Sequence, residues 1–210
     1  MNPLGSIWLK PRATVREIAS SRPGYFFVPL AGVYGAAHNL NKVVSKGVDP
    51  SQGMSAPAVL GLNLFFGFLF GVVALYGTSF PLSWVGRMLG GVARPHSVRT
   101  VLGLASVPFA PLLAVAVGLT LLGPSTLLVR DGGSALAAVA GTHWTVAVVF
   151  YFMLWGVLAV WLCVIGVIGL SEVHAFSVGR SIATYLIVVG VLLAVFMVVI
   201  TAVVKRSARA

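Results

Sequence analysis

Residues 182–204 read IATYLIVVGVLLAVFMVVITAVV, 23 consecutive positions without a charged side chain. A helix rises about 1.5 Å per residue, so this stretch outreaches a hydrocarbon core of roughly 30 Å. Ala58–Thr78, Thr100–Leu122 and Trp144–Leu170 are also uncharged and long enough to cross. Gly24–Val44 is a fifth candidate, apolar through Ala37 but ending in His38, Asn39, Asn41 and Lys42. It reads either as a first span with a polar outer end or as a re-entrant or interfacial element. The expected fold class is all-α, a polytopic transmembrane helical bundle.

Composition agrees. The chain is 59% hydrophobic and 9% charged, where a soluble domain has about a quarter of its residues charged. No room remains for a separate soluble domain. The net charge of +10 does not point to nucleic acid, because the cations stand in small groups beside apolar runs. These groups are Lys10, Arg12 and Arg16; Lys42 and Lys46; Arg87, Arg94 and Arg99; and Lys205, Arg206 and Arg209. Such placement suits topology signals and contact with anionic phospholipids, so membrane lipids are the expected partners. Cys163 is the single cysteine and reads as a small buried apolar group.

Residues 1–23 read as a cytosolic or interfacial arm, 24–204 as the transmembrane domain and 205–210 as a basic tail. In the arm, Thr14 and Glu17 have the spacing of a capping box at the start of a short helix. Trp8 and Leu9 beside Lys10 suit a headgroup region. No continuous apolar region of the signal-peptide kind precedes the long runs. Residues 45–57 read as a loop, 79–99 as a basic connector, Pro124–Thr142 as a long loop with the charged turn Arg130–Asp131, and 171–181 as a short polar connector.

Within the spans, Gly67 and Gly71 fall four apart on one face, where a neighbouring helix could come close. Gly166 and Gly169 form a second pair. Pro108 and Pro111 should kink or open the third long helix, and the carbonyls they free need partners, Ser106 being near enough to serve.

Charge leaves orientation open. Five spans with the amino terminus inside put 8 cations inside and 6 outside; four spans, with Gly24–Val44 not crossing, put 10 inside and 4 outside. Counting alone therefore favours four.

Three stretches resemble the Yip1 domain family, of the bacterial kind. They are Trp8–Ile18 (WLKPRATVREI), Arg87–Ala93 (RMLGGVA) with the following Pro108, and Leu170–Ser181 (LSEVHAFSVGRS). The resemblance implies five helices, a cytosolic amino terminus and a short extra-cytosolic carboxyl terminus, so Gly24–Val44 is taken as a span despite the charge count. It also implies a bacterial cytoplasmic (inner) membrane. Eukaryotic relatives of that family act in membrane traffic, but this chain lacks their long polar amino-terminal region. By the same resemblance, His174 stands where many family members carry Gly or Gln, and Arg180 where a Lys is usual.

Four carboxylates are present, Glu17, Asp49, Asp131 and Glu172, and no HExxH, GxSxG, P-loop or CxxC motif. No catalytic residue, metal site or cofactor is expected. The densest polar group is Glu172, His174, Ser177 and Arg180. With five spans it shares a side with Arg87, Arg94, His96 and Arg99. Glu172 pairing with Arg94 or Arg99 would lock the two connectors together; alternatively the arginines and His96 would hold a lipid headgroup. The leading functional expectation is a non-enzymatic organiser of a membrane-protein partner, a second copy or surrounding lipid. The runner-up is passage of lipid or a small solute through a groove at Asn63, Ser106, Pro108 and Pro111.

Overall fold

The computed structural model describes residues 3–21, 27–46, 55–124 and 134–207. The elements in chain order are α1 (Pro3–Leu9), α2 (Pro11–Ser21), α3 (Val28–Lys46), α4 (Ala56–Met88), α5 (Pro95–Ala105), α6 (Phe109–Leu122), α7 (Ala135–Val139), α8 (Trp144–His174) and α9 (Val178–Ser207). Among the described residues α4, α8 and α9 are long and apolar enough to cross a membrane, and a fourth span results if the bent pair α5 and α6 is one. The expected turn Arg130–Asp131 lies outside the described residues.

The closest packing is between α3 and α4, which run antiparallel. A Cβ at Gly35 would strike the Gly67 carbonyl and lie 2.5 Å from Gly71 Cα, and one at Gly67 would lie 2.8 Å from Ala36 Cα. A Cβ at Gly71 would strike the Ala31 carbonyl. Backbone meets backbone here because neither helix has side chains in the way. The glycine pair on α4 thus has its counterpart at Gly35 of α3. Farther along, Asn39 Nδ2 donates to Asn63 Oδ1 at 3.0 Å and to the Asn63 carbonyl at 3.2 Å.

This placement accounts for the polar half of α3. The helix contacts α4, α5, α6 and α7, so its polar residues meet protein where a lipid-facing helix would meet hydrocarbon. His38 stacks on Tyr34 with ring centroids 6.0 Å apart, and Tyr34 meets Phe109 edge-on at 4.9 Å. Leu40, Val43 and Val44 join Leu112, Ala116, Tyr151 and Leu158 in the largest core.

Several boundaries differ from the sequence reading. Helix α4 continues to Met88 through Pro81, so the expected connector 79–99 shrinks to Leu89–Arg94. Pro81 removes only the hydrogen bond to the Gly77 carbonyl, and the hydroxyls of Ser79 and Ser83 turn back onto the Tyr76 and Phe80 carbonyls at 3.1 and 2.9 Å. Thr14 caps nothing: it lies inside α2, which begins at Pro11, and its hydroxyl donates to the Lys10 carbonyl at 2.9 Å.

The double-proline region behaves as its chemistry requires. Helices α5 and α6 meet at 49° across Ser106–Pro108. Pro108 cannot donate to the Leu104 carbonyl, nor Pro111 to that of Val107; the N–H groups of Val107 and Ala110 take those places, both at 3.1 Å. Ser106 Oγ instead donates to the Leu102 carbonyl at 2.9 Å.

Helix α8 runs on to His174, and α9 begins at Val178, leaving only Ala175–Ser177 between them. Ala175 closes α8 in the left-handed region at φ 54°, with the Phe176 N–H reaching the Ser171 carbonyl at 3.2 Å. A Cβ is disfavoured there. Ala175→Gly is expected to stabilise the fold by about 1 kcal/mol, read from its unfolding midpoint in mixed micelles. Helix α9 then lies against α8 through Ser181, whose Oγ donates to the Val167 carbonyl at 2.7 Å, and through Tyr185 against Gly166. Gly169 of the same pair receives Val101 of α5. The buried stripe of α9, Ser181, Thr184 and Val188, ends there. Only 6% of the apolar stretch of α9 is buried, against 22% for α4 and for α8.

Candidate functional site

One end of the bundle gathers the close of α4, the start of α5, the close of α8, the start of α9 and the α1–α2 arm. Its centre is His174, fully buried at the end of α8. Its Nδ1 accepts the Ala93 N–H and its carbonyl accepts the Val92 N–H, both at 3.3 Å. Gly86 and Gly91 form the walls: a Cβ on Gly86 would lie 3.0 Å from Nδ1, and one on Gly91 2.7 Å from Cγ. The imidazole is therefore a wedge joining α8 to the turn after α4. Sequence reading placed it in the polar group of a headgroup or connector-locking site; it is closed off from solvent and set between the two connectors.

Glu172 makes neither of the pairings expected with Arg94 or Arg99. It turns to α2, where Arg16 Nε donates to Oε1 at 2.6 Å and Arg12 Nε lies 3.7 Å from Oε2. This hydrogen bond, with the charge behind it, raises the Arg16 guanidinium above its ordinary pKa. Arg99 is engaged elsewhere, its guanidinium 4.6 Å over the Tyr76 ring. Arg87, Arg94, His96 and Arg180 are exposed, with Arg180 reaching toward Gly90. The two connectors are thus joined, but by His174, while the carboxylate ties the arm down. The missed residues are Arg12 and Arg16. Their spacing of four puts them on one face of α2, away from the buried Val15 and Ile18; that pattern was the available signal.

A second feature lies within the bundle. A cavity of about 400 Å³ is bounded by α3, α4, α5, α8 and α9, and Tyr34, Thr78, Ser106, Cys163 and Tyr185 line it. Its walls are otherwise aliphatic. The Thr78 and Ser106 hydroxyls are bound to the carbonyls of Ala74 and Leu102 at 2.7 and 2.9 Å, so the space suits apolar matter. Of the groove residues expected from sequence, Ser106 lines this cavity and Asn63, Pro108 and Pro111 do not. Asn63 is paired with Asn39, Pro108 is buried in the bend and Pro111 is exposed. Cys163, expected to be buried, is exposed.

Asn63→Leu is expected to cost about 1 kcal/mol, the scale of an interhelical hydrogen bond in a membrane. Equal stability of the variant in detergent would show that the Asn39 contact contributes nothing.

Among the described residues no three of His, Cys, Asp and Glu gather where they could hold a metal ion. Compared with family models, curated proteins and solved structures, the chain matches none. The fold and its ends define a polytopic helical membrane protein.

Proposed function

We propose that this protein carries out no covalent chemistry and organises a membrane-protein partner, a second copy of itself or the lipid beside it. The observation that supports this reading is the outer half of α9. From Val189 to Thr201 every residue is exposed, Leu192, Leu193, Phe196 and Met197 among them. The helix touches α4 and α8 only through its opening turns, and an apolar helix so placed offers its whole girth to the membrane. The test is photocrosslinking from a probe at Leu193 in intact membranes, followed by mild-detergent purification. A discrete protein adduct of reproducible mass is expected; lipid adducts alone would remove the protein partner and leave lipid organisation.

The same proposal includes five spans, with α3 the first, in a bacterial cytoplasmic membrane, and a place in the Yip1 domain family. The antiparallel course of α3 along α4 favours a crossing. With α3 crossing, Lys10, Arg12, Arg16, Arg87, Arg94, Arg99 and Arg180 fall at the arm end among the described residues, and Lys42, Lys46, Lys205 and Arg206 at the other; over the whole chain this is a weaker bias than four spans would give. That sorting puts the arm in the cytosol.

A second reading, passage of lipid or a small apolar solute, is favoured by the cavity beside the α5–α6 break. It requires flux through liposomes holding the purified protein, altered by Ser106→Leu. No flux from correctly inserted protein would exclude it.

A further inference from the structure

We propose that Lys10, Arg12 and Arg16 form a binding site for the phosphate of an anionic phospholipid, on the opposite side of α8 from the apolar cavity. These three side chains, with Pro11, Ala13 and Ile168, line an open groove of about 380 Å³ between α2 and α8.

Charge is the first argument. Three cations line the groove, and the carboxylate of Glu172 is shared by two of them. The carboxylate of α2 itself, Glu17, is not among the lining residues. The side chains of Arg12 and Arg16 are 56% and 70% exposed, that of Glu172 only 17%, so the cations face outward over the anion. Arg16 reaches Glu172 through Nε, which leaves its Nη donors for another acceptor. Forked donors of this kind match phosphate oxygens. Glu172 thus fixes the arginines in place without exhausting them.

The apolar contacts supply the second argument. Ile168 belongs to a helix long and apolar enough to cross a membrane and lines the same groove as the cations. Leu9, next to Lys10, is 87% exposed, and a leucine so uncovered at a basic edge is suited to the acyl boundary. A ligand that meets cations and aliphatic carbon in one groove has a charged head and a hydrocarbon tail. This inference rests on the membrane reading, since a lipid reaches the groove only if α8 lies in a bilayer.

Native mass spectrometry of the full chain in detergent tests the site, with phosphatidylglycerol and phosphatidylcholine added in equal amounts. The wild-type protein should retain phosphatidylglycerol preferentially. Each cation near a membrane surface contributes roughly fivefold in affinity, so Lys10→Gln, Arg12→Gln and Arg16→Gln together should reduce retention by roughly a hundredfold. Lys10→Gln with Arg12→Gln keeps the short Arg16–Glu172 bond and should still lose roughly twentyfold, which separates lipid binding from arm detachment. Arg87→Gln with Arg94→Gln should change nothing. Equal retention of the two lipids, undiminished phosphatidylglycerol in the variants, or full displacement by inorganic phosphate at the lipid's own concentration would each overturn the assignment. Protein that stays monomeric in buffer after detergent removal would overturn the membrane reading itself.

Discussion

Gly71→Leu is expected to lower the stability of the folded protein by about 3 kcal/mol, at the upper end of what overpacking costs. The magnitude follows from what the new side chain would strike. Its Cβ alone would run into the Ala31 carbonyl and come 2.9 Å from Gly35 Cα. Both are backbone atoms of a helix enclosed by its neighbours, and neither has a rotamer to change. Relief requires α3 and α4 to separate, which would also part Asn39 from Asn63 and loosen the core around Leu40 and Leu112. The control lies on the same helix: nothing stands within 4 Å of a Cβ at Gly77, so Gly77→Ala should stay within about 0.5 kcal/mol of the parent. Denaturant midpoints in mixed micelles measure both. A Gly71→Leu protein as stable as Gly77→Ala would mean that α3 and α4 do not touch as described.

The second large effect is at the histidine wedge. His174→Ala should cost about 2–4 kcal/mol, because it empties a buried ring and leaves the Ala93 N–H without its acceptor. Gly91→Ala should be as damaging in the parent, where the added methyl meets the imidazole. In the His174→Ala background that methyl finds space, so the two changes should couple by about 1 kcal/mol or more. Additive losses would place the histidine outside the Gly86–Gly91 seat.

The features legible in the sequence were those that depend on the medium or on covalent geometry. The charge-free runs announced α4, α8 and α9, because hydrocarbon excludes charge whatever the neighbours are. Pro108 and Pro111 announced the α5–α6 bend, because a missing N–H has the same consequence in every fold. Helix ends were less legible. Ser79, Ser83 and Arg87 read as a connector by polarity, yet polarity marks access to water and not the end of a helix, and α4 continues through them. Side-chain partners were least legible. Glu172 lies 156 residues from Arg16, and with arginines available on three elements only packing could choose among them. His174 read only as one of a polar group at a helix end because its seat is made of glycines, which leave no hydrophobic signature. The polar half of α3 weakened its apolar signal, since a test of apolarity assumes a lipid-facing helix and this one packs against α4, α5, α6 and α7.

Length carries one more consequence. Helices α4 and α8 have 33 and 31 residues, roughly 15–20 Å more than a 30 Å hydrocarbon layer requires. Their overrun at the arm end holds Ser83 on one and Ser171 on the other, hydroxyls bonded to their own helices and so tolerant of either side of the oil boundary. Arg87 and Glu172 then mark the limit at which charge must stay in water. When the bilayer swells or thins by a few ångströms, the water boundary can slide along these two rods at small elastic cost. The shorter α3, with 19 residues, is sheltered by its neighbours and takes little of that load, so the bundle should keep its shape in sheets of different thickness.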